Sequence, residues 1–152
     1  MAIEAPLSKH KKNNLKLYIA LCIILAAWFA YDGYYNETFI KKHTDSAGKP
    51  ESTLTFNRNS PPYLIAFAAL LGAYMFAIRN KKLIADETAL TAGALKIPYD
   101  SIEKIDKTHF DSNGYFIITY KNQQGIPAAL KLSDKTYDNL PAILDALIAK
   151  IT

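Results

Sequence analysis

Two stretches of the chain are apolar without interruption. Residues 17–31 and 59–78 contain no Asp, Glu, Lys or Arg. The first runs from Leu17 to Tyr31 and gains length from its flanks. Lys16 can extend its stem along lipid at one end, and Tyr31, Tyr34 and Tyr35 suit an interface at the other. The second runs from Pro61 to Ile78, with Tyr63 near its start and Arg79, Lys81 and Lys82 behind it. About 20 apolar residues cross a bilayer core, so the pattern predicts membrane-spanning helices over 17–35 and 61–79. Two core helices of a water-soluble protein are the alternative, but the remaining chain is too small to cover helices that are apolar on every side.

Beyond Leu83 the period changes. Leu83–Ala85, Thr88–Thr91 and Ala94–Ile97 are short β-rich runs separated by Asp86-Glu87 and Ala92-Gly93. A longer run from Ile102 to Phe110 ends at Asp111-Ser-Asn-Gly114, which reads as a hairpin turn. Tyr115–Lys121 is the clearest strand, Asn122–Gly125 its turn, and Ile126–Leu132 the next strand. Phe116, Ile118 and Tyr120 fall on one face, and Ile126, Ala128, Leu130 and Leu132 likewise. Ile102 and Ile105 break strict alternation, which predicts a turn or bulge after Pro98. Leu140, Ile143, Leu144, Leu147, Ile148 and Ile151 form one helical stripe. Ser133 or Asp134 can cap that helix, and Pro141 belongs in its first turn. The predicted class is α+β: two transmembrane helices, then a small antiparallel sheet or partial barrel over 83–152, capped by a C-terminal helix.

The connection over 36–60 is too long for a plain turn. Glu37–Thr44 and Ser52–Asn57 are β-rich and flank the turn cluster Asp45–Pro50, which predicts a β-hairpin. Asn36-Glu-Thr38 matches a glycosylation acceptor pattern, and no role is assigned to it.

Charge sets the expected orientation. The segment 1–16 reads as a basic tail, with Lys9, Lys11, Lys12 and Lys16 against Glu4. Arg79, Lys81 and Lys82 follow the second span, while the cations and anions of residues 32–61 balance at four each. Both termini are therefore expected in the cytoplasm. No small-x-small cleavage site follows the first span, so it reads as an uncleaved anchor. Beyond Lys82 there are seven basic and nine acidic residues, which argues against nucleic acid as a partner. The formal net charge of +4 therefore comes from the flanks of the spans.

Small residues recur at four-residue spacing along the second span. Ala69, Ala73 and Ala77 form one row and Ala68 with Gly72 another, positions that permit close helix approach in lipid. On the Tyr115–Tyr120 strand, Tyr115, Ile117 and Thr119 fall opposite the core face and are candidates for a docking face or for strand addition.

The segment from Leu83 to Ile151 resembles the bacterial pleckstrin-homology-like domains that occur behind membrane-spanning helices. The resemblance rests on the strand–turn–strand opening, Leu95-Lys-Ile-Pro-Tyr-Asp-Ser-Ile-Glu-Lys-Ile105, the strand Gly114-Tyr-Phe-Ile-Ile-Thr-Tyr120, one further strand and the closing helix. It implies a strongly bent sheet capped by that helix.

Candidate chemistry is sparse. His10, His43 and His109 fall in three different regions, Cys22 lies in mid-span, and no phosphate loop, nucleophile elbow or zinc-binding His-Glu pattern occurs. No cofactor, metal or catalytic residue is expected. The expected role is a non-enzymatic accessory or scaffolding subunit of a larger complex in a bacterial cytoplasmic membrane, with self-association open. The alternative is a stand-alone sensor of anionic lipid or envelope state that uses the basic flanks rather than a headgroup pocket.

Overall fold

The computed structural model describes residues 2–151 and divides the chain into two units. One comprises residues 1–12 and 78–152, and the other, residues 13–77, is inserted within it. The fold is α+β.

The inserted unit is built on two long helices, α1 (Lys9–Tyr34) and α3 (Ser52–Ile78). Both are long and apolar enough to cross a membrane. At 26 and 27 residues each is about 40 Å long at 1.5 Å per residue. They therefore exceed the expected spans 17–35 and 61–79, chiefly at the start of each helix. Pro61 and Pro62 lie inside α3 rather than at its beginning. A proline supplies no N–H to the carbonyl four residues earlier, so Pro62 leaves the Arg58 carbonyl without its helical donor. Tyr34 Oη donates to that carbonyl at 3.1 Å. Of the two helical bonds that the prolines remove, the one at Arg58 is thus replaced by a side chain.

The expected β-hairpin between the long helices does not form. Glu37–Lys42 is a short helix, α2. Asn36 accepts a hydrogen bond from the Phe39 N–H at 3.2 Å as its N-cap. Glu37 in the first turn and Lys41 and Lys42 in the last oppose the helix dipole. The turn over 45–50 is as expected: Asp45 accepts from the Ala47 and Lys49 N–H groups at 2.9 and 2.8 Å. The only strand-like pairing beside it is the single bridge between Thr44 and Pro50.

The other unit holds two antiparallel sheets and a helix. The first sheet has the order β1 (Ile3–Pro6), β2 (Lys82–Ala85), β3 (Ala89–Ala92), β4 (Leu95–Pro98). The second has the order β5 (Ile102–Asp106), β6 (Tyr115–Lys121), β7 (Pro127–Ser133). A 3₁₀ turn, Tyr99–Ser101, links the sheets, and the pairing of β5 with β6 shifts register between Ile102 and Lys104. The irregularity expected after Pro98 is thus present.

The segment expected as a basic tail is folded from Ile3 onward. Ile3, Glu4, Ala5 and Pro6 pair with Ala85, Ile84, Leu83 and Lys82. The opposite side of this segment is also occupied: Leu7 bridges Tyr137, Ser8 N–H donates to the Thr136 carbonyl, and Asp138 N–H donates to the Pro6 carbonyl. Ala5, Leu7 and Ser8 are buried. From Lys9 onward the segment is already helical, and Asp138 caps α1 by accepting from the Lys9 N–H at 3.2 Å.

Two further expectations change. The run 102–110 is a strand only to Asp106, whose carboxylate turns back to accept from the Thr108 N–H and hydroxyl at 3.0 and 2.6 Å. Phe110–Asn113 is then one helical turn, α4, closed by Gly114 at φ 68° in the left-handed conformation that glycine adopts without penalty. Neither Ser133 nor Asp134 caps the last helix. They lie in a tight turn, with the Thr136 and Tyr137 N–H groups both donating to the Ser133 carbonyl. Asn139, at φ 60°, leads into α5 (Leu140–Ile151).

The stripe on α5 buries Leu140, Ile143, Leu144 and Leu147 in one core with Ala5, Leu83, Leu90, Ile97, Phe116, Ile118 and Leu132. Each sheet contributes one face and the helix closes the space between them, as alternation and the helical stripe require.

Candidate functional site

The cations that flank the long helices are brought together by the strand pairing. Pro6 lies opposite Lys82, so the chain leaving β1 and the chain entering β2 run side by side. Pro6, Leu7, Lys12, Arg79, Asn80, Lys81 and Lys82 line a shallow, open concavity of about 340 Å³. Lys82 Nζ is bound to Glu4 Oε1 at 2.6 Å, across the β1–β2 pair. Leu7 supplies an apolar floor, since it is almost fully buried. Lys9 and Lys11 occupy the first turn of α1 and are not among the lining residues, while Lys16 belongs to the inserted unit.

A second concavity, of about 600 Å³, lies between the free edge of β4 and the β6–β7 turn. Lys96, Ser101, Tyr120, Asn122 and Gln124 are among its lining residues. It is open and of mixed polarity, and Lys121 on its rim is paired with Glu103 at 3.2 Å.

The candidate docking strand is differently placed from expectation. β6 lies between β5 and β7 and is paired on both sides, so strand addition to it is closed. Tyr115, Ile117 and Thr119 are half-buried. Tyr115 stacks on His109 with ring centroids 5.2 Å apart, and the Lys131 ammonium lies 3.7 Å from the Tyr115 ring centre.

In the inserted unit, the row Ala69, Ala73, Ala77 is exposed. Ala68 is the buried alanine of that segment and Gly72 is half-buried. The close approach of the helices lies elsewhere. A Cβ on Gly33 would meet the Arg58 side chain at 3.1 Å and the Asn57 and Arg58 backbone at 3.2 Å. Arg58 Nε donates to the Gly33 carbonyl at 2.8 Å, and Phe29 meets Phe56 edge-on at 5.6 Å. Trp28 and Asn36 both donate to Asp32 at 2.8 Å. Both ends of the Asn36 amide are thus used, one as the α2 cap and one on Asp32.

Titratable groups outside the long helices are bent by local contacts. Asp86 is held below the usual carboxylate range by the Thr88 and Ala89 N–H groups, with burial opposing and the Thr88 hydroxyl and Lys96 assisting. Asp106 is lowered by the Thr108 hydroxyl and then the Thr108 N–H. Burial raises Tyr99, whose hydroxyl donates to the Asp86 carbonyl at 2.7 Å, and burial raises Tyr137. These are turn and core contacts and do not converge on a common point. His43 faces Glu51 at 3.3 Å and His109 faces Tyr115. Among the described residues, no three His, Cys, Asp or Glu side chains are grouped to hold a metal ion.

No family model, curated protein or solved structure matches this chain. Its function is therefore argued from its own residues.

Two features carry little signal in the sequence. The alternation Ile3, Ala5, Leu7 was the signal for β1, obscured by the lysines that follow it. The pairing of Tyr34 with an interior proline had no signal at the level of hydropathy.

Proposed function

We propose that this chain is a non-enzymatic accessory subunit of a membrane protein complex. In this reading α1 and α3 form a hairpin across a bacterial cytoplasmic membrane with both chain ends inside. The split unit is a pleckstrin-homology-like module at the inner face.

One observation carries the reading: the two span-length helices are inserted between neighbouring strands of one sheet. A hairpin of two crossings returns the chain to its starting side, which is what the β1–β2 pairing requires. The excess of Lys and Arg at that side then favours the cytoplasm. The module is joined to the hairpin at both ends of the insertion, an arrangement suited to holding a partner in register with the membrane. The exposed alanine row on α3 leaves a face for a partner helix. Two antiparallel sheets over one core, closed by α5, agree with the bent and capped sheet that the family resemblance implies.

Gentle detergent extraction of the native protein, followed by size separation and mass spectrometry, tests the subunit role. Fixed partners in one large particle are expected. A particle holding only this chain, single or self-associated, rejects it. The second reading, a response to anionic lipid, is favoured by the concavity lined with Lys12, Arg79, Lys81 and Lys82.

A further inference from the structure

We propose that the outer edge of β7 joins two copies of this chain, paired antiparallel about a two-fold axis at Leu130. The inference stands apart from the subunit reading, since a complex with fixed partners would then hold two copies.

Unpaired strand edges attract other strands, and proteins block them with proline, bulges or charge. The outer edge of β1 is occupied by the segment 136–138. Among the described residues, β4, β5 and β7 each keep one edge without a strand partner. On β4 the bond from the Tyr99 N–H to the Thr88 carbonyl, at 3.2 Å, sets the ladder so that Lys96 and Pro98 face outward. Pro98 has no N–H, and its carbonyl accepts from the Ser101 hydroxyl at 2.7 Å. β5 carries a register shift between Ile102 and Lys104 and exposes Glu103 and Lys104. β7 has none of these guards along its length. It pairs with β6 over seven residues without a shift. Its one charged residue, Lys131, holds its ammonium 3.7 Å from the Tyr115 ring centre on β6, away from the free edge.

The backbone of β7 is complementary to itself. The Asn122 N–H donates to the Ile126 carbonyl and the Asp134 N–H to the Gly114 carbonyl, so the even-numbered residues of β7 bond to β6. Ala129 and Lys131 therefore turn both N–H and carbonyl outward, Pro127 its carbonyl and Ser133 its N–H. Pairing centred on Leu130 sets Ala129 against Lys131 of the second copy, each donating to the other. It also sets the Ser133 N–H against the Pro127 carbonyl of the second copy. The donor that proline lacks is not missed, because the Ser133 carbonyl already accepts from the Thr136 and Tyr137 N–H groups. A centre at Ala129 would instead strand the Lys131 carbonyl against that proline, and a centre at Lys131 would set two lysines directly opposite. The side chains agree with the Leu130 centre. Exposed Ala129 leaves room beside Lys131, half-buried Ala128 faces the buried Leu132, and half-buried Leu130 meets its own copy. The Pro127–Ser133 match belongs to this sequence paired with itself, which selects a second copy over a foreign strand.

The test uses the full chain in phosphatidylcholine vesicles, with Cys22→Ala so that one introduced cysteine is the only thiol. Facing residues at a pair without hydrogen bonds have Cα atoms about 4.5 Å apart, within disulfide reach. Under mild oxidation Leu130→Cys should give a covalent dimer as the main product. Ala128→Cys, offset from its own copy along the strands, should give about tenfold less or lower still. Ala129→Pro removes an N–H that the single chain leaves unpaired at its edge. It should abolish the cross-link at position 130 and leave the circular dichroism unchanged. Lys96→Pro puts the same block on the β4 edge and should leave the cross-link intact. Should Ala129→Pro fold poorly, Ala129→Lys alters one exposed side chain, sets like charges opposite and should lower the cross-linked fraction about fivefold.

Single chains only at position 130, or equal cross-linking at 128 and 130, overturn the pairing. A cross-link that survives Ala129→Pro in folded protein does the same. In native membranes, cross-linking of Leu130→Cys to a different polypeptide and not between copies assigns the edge to a foreign strand and overturns the second copy.

Discussion

The two units of this molecule put similar side chains to opposite uses. In the strand-built unit Phe116, Leu90 and Ile97 are fully buried, and stability comes from apolar surface removed from water. On the long helices Leu70 is 69% exposed, Trp28 61% and Tyr63 77%. Their outer faces are apolar, and beside the buried Cys22, Ala26, Leu54 and Ala68 their contact carries polar groups at one end: Asn57 is buried, Arg58 bonds Gly33, and Tyr34 bonds Arg58. A unit that brings its own core needs only water around it. A helix pair whose large apolar side chains point outward needs lipid or other helices around it.

The sharpest way to break this comparison is to cut the strand unit where the sequence suggests a boundary. The fragment 83–152 lacks β1 and the buried Ala5 and Leu7. It should lose the greater part of a domain's stability, on the order of 5 kcal/mol, and give a collapsed proton spectrum. Joining 2–12 to 78–151 through a flexible Gly/Ser linker should restore dispersed resonances, since that polypeptide contains every strand. A well-folded 83–152 fragment would contradict the split unit.

Next in size are side-chain truncations in the two environments. Phe116→Ala opens a cavity in a fully buried site and should cost about 3–5 kcal/mol, read from denaturant unfolding of the linked strand unit. Leu70→Ala in the full-length protein should change helix pairing by less than about 0.5 kcal/mol, because that side chain touches no seam. Comparable costs at both positions would mean that the outer face of α3 is already committed within this chain.

How far the sequence could be read follows from the same contrast. Period-2 and period-3.6 patterns report faces, so β6, β7, α5 and both long helices were legible from hydropathy. β1 was not, because a four-residue strand followed by lysines carries too little apolar signal, and its partner lies some 80 residues away. Residues 36–51 misled in the other direction. Their β-propensity was overridden by the Asn36 cap and the Glu37–Lys41 pair at 3.5 Å, local contacts that decide short segments. The cation cluster was legible residue by residue but not as a concavity, since only the β1–β2 register brings Lys12 beside Arg79.

The helix seam offers a smaller test that separates two readings of its small residues. Gly33→Leu must displace Arg58 and backbone atoms and should weaken helix pairing by about 1–3 kcal/mol. Ala73→Leu, on the exposed row, should leave the pairing within this chain unchanged. Distances between spin labels on α1 and α3 in the two variants would report the difference directly. A widening caused by Ala73→Leu rather than Gly33→Leu would return the close approach to the alanine row.

The smallest effect probes why α3 continues through Pro61 and Pro62. If Tyr34 replaces the donor that Pro62 removes, Tyr34→Phe should cost about 1 kcal/mol. In a Pro62→Ala background the alanine N–H can reach the Arg58 carbonyl, so the same Tyr34→Phe change should cost little. The coupling between the two positions, measured as a double-mutant cycle on hairpin stability in micelles, should therefore be of the same order as the single effect. A full and equal cost of Tyr34→Phe in both backgrounds would show that the hydroxyl serves another partner, and that the interior prolines are tolerated for a different reason. A vanishing coupling with no cost in either background would mean that the Arg58 carbonyl finds its donor outside the chain. In lipid that donor would have to be water or a neighbouring helix, and the hairpin would then depend on its surroundings at its seam as well as at its outer face.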